Sequence, residues 1–149
     1  MVPRINQINN FLKSNQIENK SLIPIKNDAS FRKYFRVNKK ILMDADPNLG
    51  EDVSSFININ NVLREFQLNV PEIFSIDKEN GFLLLEDLGE NIFSQILNSE
   101  NEERLYKQAV EVLVEIYKKD LNKFSNFNFL EKYSIEKLQD ESQLFIEWY

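Results

Sequence analysis

The sequence predicts an α+β protein: a five-stranded antiparallel sheet with helices, on three observations. Phe31 to Val37 alternates strictly, with Phe31, Lys33, Phe35 and Val37 on one side and Arg32, Tyr34 and Arg36 on the other, the period of a strand. The strand-like runs around it are joined by segments too short for a parallel crossover, so neighbouring strands must run antiparallel. After Leu88-Gly-Glu-Asn91 the apolar residues change to helical spacing and keep it to the end of the chain.

In chain order, Arg4 to Asn15 carries Ile5, Ile8, Phe11 and Leu12 on one helical face, which suits a helix lying on the sheet. Ser21 to Lys26 is a short apolar run, and its Pro24, lacking an amide proton, predicts an edge strand. The Phe31 strand follows, then Asn38-Lys39 as a hairpin turn and Ile41 to Ala45 as the return strand, closing a three-stranded meander. Asp46-Pro-Asn-Leu-Gly50 breaks it. Glu51-Asp52 open a helix whose apolar face is Val53, Phe56, Ile57, Val62, Leu63 and Phe66.

Glu72 to Asp77 reads as a strand and Lys78-Glu-Asn-Gly81 as a turn, with Gly81 at a positive φ. Phe82 to Glu86 is apolar without alternation, which implies burial on both faces. A short helix covers Ile92, Phe93, Ile96 and Leu97. A long one from about Glu100 to Asp120, capped by Ser99, carries a stripe of Leu105, Ala109, Val112, Leu113 and Ile116. Phe124, Phe127, Phe129, Leu130 and Tyr133 form an aromatic cluster suited to packing. A last helix begins near Ser134 and carries Leu138, Leu144, Phe145, Trp148 and Tyr149.

Composition narrows the chemistry. With 149 residues, 42% apolar and 28% charged, the chain has the size and content of one globular domain. It has no Cys and no His, which excludes disulfides, thiolate metal sites and imidazole catalysis. A net charge of −6 argues against nucleic acid or anionic membrane as a partner, so any anion site must be local. No run approaches a membrane span or a signal peptide, and the expected location is the cytoplasm.

Asp28-Ala-Ser-Phe-Arg-Lys-Tyr-Phe-Arg36, Leu42-Met-Asp-Ala45, Glu51-Asp52, Val70-Pro71 and Gly81-Phe-Leu-Leu-Leu-Glu-Asp-Leu-Gly89 stand in an order that resembles the aminoglycoside-phosphotransferase superfamily. Within it they are similar to bacterial anomeric amino-sugar kinases, which phosphorylate N-acetylmuramate and N-acetylglucosamine at C1. The resemblance implies a protein-kinase-like small lobe over residues 1–88, including the N-terminal helix. It implies a hinge exit and the first helices of the large lobe over 89–149. It also implies ATP and Mg2+ as cofactors, a sugar substrate and a role in cell-wall sugar (peptidoglycan) recycling.

The family's catalytic loop, of His-x-Asp-x-x-x-x-Asn type, has no counterpart in these residues. The expectation is therefore an N-terminal fragment, inactive alone, with no catalytic residue and with metal ligands lying elsewhere. Such a fragment should expose the apolar faces of its last helices and associate or aggregate.

Carried over residue by residue, the resemblance assigns nucleotide contacts to Ser30, Arg32, Arg36, Met43, Glu86, Asp87 and Leu88. Ser30 stands in the loop that covers phosphates, which here lacks the usual glycines; the bland reading is a plain turn. Met43 or a neighbour stands where such kinases carry a phosphate-binding lysine, and Val53 to Arg64 lacks that lysine's acidic partner. The arginines Arg32 and Arg36 are then the candidates to take over, oriented by Glu51 or Asp44. Glu86, Asp87 and Leu88 match the hinge that recognises adenine through backbone groups; surface charge or helix capping is the alternative use of the acidic pair. Asp44 and Asp46 share a face that could hold a metal, against a plainly solvated strand end. Two other readings stand beside the kinase: a catalytically silent kinase-like binding module, and an interaction protein with no nucleotide site.

Overall fold

The computed structural model describes residues 3–18, 21–26, 30–119 and 134–148. The chain divides into two compact units, residues 1–119 and 120–149. The first holds α1 (Arg4–Ser14), β1 (Ile23–Ile25), β2 (Lys33–Val37), β3 (Lys40–Asp44), α2 (Ser54–Glu65), β4 (Ile73–Asp77), β5 (Phe82–Glu86), α3 (Phe93–Ile96) and α4 (Glu102–Tyr117). The second holds α5 (Ile135–Trp148), whose start is held by the Ser134 hydroxyl accepting from Lys137 N–H at 3.2 Å. The aromatic cluster of residues 124–133 and the side chains of Phe145, Trp148 and Tyr149 lie outside the described residues.

The five strands form one antiparallel sheet in the order β1-β2-β3-β5-β4. This is the α+β architecture expected of a kinase-like small lobe. The β2–β3 hairpin turns on Asn38 and Lys39, both left-handed at φ 48° and 60°, the pair of positive angles that a tight two-residue hairpin needs. β5 is buried along Phe82 to Leu85, as its unbroken apolar run predicts. It lies between β3 and β4 and is covered on both faces.

On one face Ile8, Phe11, Leu12 and Ile17 pack against Val37, Leu42, Phe82 and Leu84. On the other, Val53 and Ile57 pack against Met43, Ala45, Leu83 and Leu85. Each face thus buries an apolar cluster that fixes strand register, because a one-residue slip would invert both. Gly81 has φ +71°, and a Cβ there would sit 1.9 Å from the Ala45 carbonyl oxygen. The turn before β5 is therefore closed directly against the end of β3.

Two expectations are corrected. Ile5 is 52% exposed; Arg4 turns inward instead, because it has a buried acidic partner on β3. Ser99 does not cap α4: Asn98 organises the turn, its Oδ1 accepting from the N–H groups of Glu100 and Asn101, so the helix begins at Glu102 and ends at Tyr117. Of the α4 stripe only Leu105 is buried, while Val112 and Leu113 are exposed, as expected of the apolar faces of the last helices. No helix among the described residues is long and apolar enough to cross a membrane.

Candidate functional site: the α2 face of the sheet and the segment after β5

Strand alternation puts Tyr34 and Arg36 of β2 on the α2 face, opposite Met43 and Ile41 of β3, with Arg32 just before the strand on the same side. The cationic face predicted from the Phe31 alternation is thus real. Its two arginines are engaged differently.

Arg32 donates from Nε to Glu51 Oε2 at 2.6 Å and from Nη2 to the Asp52 carbonyl at 3.2 Å. Its own N–H donates to the Ser30 hydroxyl oxygen at 3.1 Å. One residue therefore ties the loop before β2 to the approach to α2. The Glu51 hydrogen bond raises the Arg32 pKa above its ordinary value against the opposing effect of burial. Asp52 completes the helix entry, its Oδ1 accepting from Ser54 N–H at 2.9 Å.

Arg36 instead reaches the segment that follows β5. Its Nε and Nη2 hold both carboxylate oxygens of Asp87, at 2.5 and 3.1 Å, and Nη1 pairs with Glu90. Nη2 also approaches the Gly89 carbonyl at 3.5 Å. Asp87 Oδ1 accepts from the Gly89 N–H at 2.9 Å. The guanidinium first, and that N–H second, hold the Asp87 carboxyl below its ordinary range. Asp87 and Glu90 in turn raise the Arg36 pKa.

The other candidates fall into place around these pairs. Met43 has no exposed surface and packs with Val53, Ile57, Leu83 and Leu85, so it forms the floor beneath the face and presents nothing to a ligand. Glu86 closes the end of the β4–β5 pairing: its N–H donates to the Glu72 carbonyl at 2.8 Å and its Oε2 accepts from Glu72 N–H at 3.1 Å. Leu88 is 57% exposed, and among the described residues its backbone N–H and C=O have no hydrogen-bond partner.

Asp44, at the end of β3, and Asp46, just beyond it, are engaged by other partners. Asp44 faces α1, opposite the arginines, and accepts from Arg4 Nε at 2.9 Å, so it orients neither Arg32 nor Arg36. Asp46 caps the short 3-10 turn Pro47–Leu49, accepting from Asn48 N–H at 3.0 Å. Among the described residues no group of three or more acidic side chains converges as a cation site, so Mg2+ is given no ligands here.

Sequence reasoning missed Arg4 and Glu90. Glu90 left one faint signal, its spacing three residues past Asp87 beyond the strand end.

The chain matches a family model described as the phosphotransferase enzyme family (APH) over residues 21–144. It is 37% identical over 132 residues to an N-acetylmuramate/N-acetylglucosamine kinase of Pseudomonas aeruginosa, covering 86% of this chain and 37% of that protein. It is 33% identical over 150 residues to the protein of that name in Pseudomonas putida, covering 96% and 42%. A third so named, in Neisseria meningitidis, is 31% identical over 131 residues, covering 82% and 37%. The chain thus spans about two fifths of the length of these relatives.

Proposed function

The chain belongs to the phosphotransferase enzyme family, and from that premise we propose that its protein is an ATP-dependent kinase of an amino sugar, acting at the anomeric hydroxyl, with this chain supplying the nucleotide-binding lobe. The observation that carries the reading is the 31–37% identity, over most of the chain, to relatives named for N-acetylmuramate and N-acetylglucosamine.

In this reading the sugar oxygen attacks the γ-phosphorus of ATP. The bond from that phosphorus to the bridging oxygen of ADP breaks, and the hydroxyl proton passes to a carboxylate base. None of the residues described here is assigned as that base. What this lobe does is hold the nucleotide, and positioning with charge stabilisation is most of what such a transfer requires.

The free N–H and C=O of Leu88 suit the paired donor and acceptor edge of adenine. Arg32, oriented by Glu51, and Ser30 stand at the loop before β2, where phosphates would lie over the α2 face. Mg2+, if bound with the nucleotide, would neutralise phosphate charge; its protein ligands are not assigned to these residues. Recycling of cell-wall sugars in the cytoplasm is the biological setting this activity would serve.

The test is ADP release by the product of the complete reading frame, with Mg·ATP and each sugar. Turnover dependent on N-acetylmuramate or N-acetylglucosamine is expected. A protein that binds ATP yet releases no ADP with any amino sugar would leave only the silent binding module.

A further inference from the structure

Arg36 carries one positive charge and faces two carboxylates, Asp87 and Glu90, so its neighbourhood sums to one negative charge. Such a group does not attract a phosphate, which would have to displace a bidentate partner already in place. What the three residues do share is location. Asp87, Gly89 and Glu90 are consecutive or nearly so in the segment leaving β5, and Arg36 touches each of them from a neighbouring part of the sheet.

β2 is not adjacent to β5 in the sheet, since β3 lies between them. The guanidinium therefore spans the width of a strand to fix a segment that has left the ladder. Asp87 adds an internal bond to Gly89 N–H, which shapes the segment around Gly89 at φ +88°. Leu88, with its unengaged backbone groups, lies between two residues that Arg36 holds.

We propose that Arg36 is a positioning residue for the adenine edge of the site: through Asp87, Gly89 and Glu90 it fixes the backbone of Leu88, and it makes no contact with phosphate. The inference rests on the nucleotide-binding reading above and changes the part that Arg36 plays in it. Binding of the base would then depend on this clamp whatever the number of phosphates attached. Removing the clamp frees the segment, and ordering it again on binding weakens every adenine nucleotide alike.

The experiment measures affinities of adenosine, AMP, ADP and ATP for the full-length protein and for Arg36→Ala, Arg36→Lys and Asp87→Ala. Arg36→Ala is expected to weaken all four by one common factor, on the order of tenfold. Arg36→Lys, which keeps the charge but cannot grip both Asp87 oxygens, should also weaken all four, by a smaller factor. Asp87→Ala should reproduce the Arg36→Ala loss, and the double variant should lose little more than either alone.

Urea midpoints should move little, because the pair is partly exposed and contributes little to global stability. A loss that grows from adenosine to ATP, or unchanged affinities throughout, overturns the proposal while the nucleotide site stands. A wild-type protein that binds none of the four removes the site and the proposal together.

Discussion

Arg4 of α1 donates to Asp44 of β3 at 2.9 Å while its guanidinium carbon lies 4.0 Å from the centre of the Phe82 ring. Asp44 is 4% exposed, so its charge is tolerated only because Arg4 meets it. Arg4→Ala should cost about 2–4 kcal/mol by urea unfolding, since it strands a buried carboxylate. Asp44→Ala should cost less, because Arg4 is more exposed and has Asp46 at 3.8 Å to turn to. Equal losses would contradict the assignment of Asp44 as the dependent partner.

Two glycines with similar φ separate conformation from contact. Gly50 at +79° has open space where a Cβ would go, whereas Gly81 at +71° would drive it into the Ala45 carbonyl. Gly50→Ala should cost about 1 kcal/mol, the usual cost of a side chain at positive φ. Gly81→Ala should cost clearly more, above about 2 kcal/mol, because backbone must move as well. Thermal or urea melts of the two variants side by side provide the comparison.

Stability should respond to acid in one direction. Asp46, Asp52 and Asp87 all have carboxyls held below their ordinary value, chiefly by the Asn48 N–H, the Ser54 N–H and Arg36 respectively. Near pH 4 the unfolded chain therefore binds more protons than the folded one, and stability falls as pH falls. The contribution is fully present above about pH 4 and is lost as pH drops through the lower folded values. With no histidine in the chain, imidazole adds no slope between about pH 5 and 8. Urea midpoints across pH 3 to 8 should show a plateau and then a decline on the acid side. A decline beginning near neutrality would point to groups other than these.

Arg32 should behave unlike Arg36. Arg32→Ala in the full-length protein is expected to weaken ATP by about tenfold or more while leaving adenosine nearly unchanged, as loss of a charged phosphate contact would. Glu51→Gln should give the same pattern more weakly, because it loosens the orientation of Arg32 without removing its charge. Binding titrations of both nucleotides decide it, and an equal loss for adenosine would remove Arg32 from the phosphate site.

Much of the fold was legible because local chemistry and burial agreed. Asn38-Lys39 between two strand-like runs marked the hairpin, Gly81 marked the turn, and the unbroken Phe82–Leu85 run marked the strand covered on both faces. What was not legible at Arg4 and Arg36 has one cause: a long side chain chose a distant partner that no local period encodes. Helical spacing favoured Ile5 over its neighbour Arg4, yet Asp44 lies across the sheet and draws Arg4 inward. Alternation correctly gathered Arg32 and Arg36 on one face, but it could not show that the chain after β5 brings Asp87 and Glu90 to the second of them. The cationic face thus holds one arginine paired with Glu51 at the approach to α2 and one paired with Asp87 and Glu90 after β5.

Phosphorus NMR of the reaction of the full-length protein with Mg·ATP and N-acetylmuramate tests whether phosphate is transferred to the anomeric oxygen. A new sugar phosphate is expected whose phosphorus couples to the anomeric proton, with ADP formed in equal amount. A phosphorus coupled to a different ring position would contradict the anomeric assignment, and ATP left unchanged with every amino sugar would contradict the kinase itself.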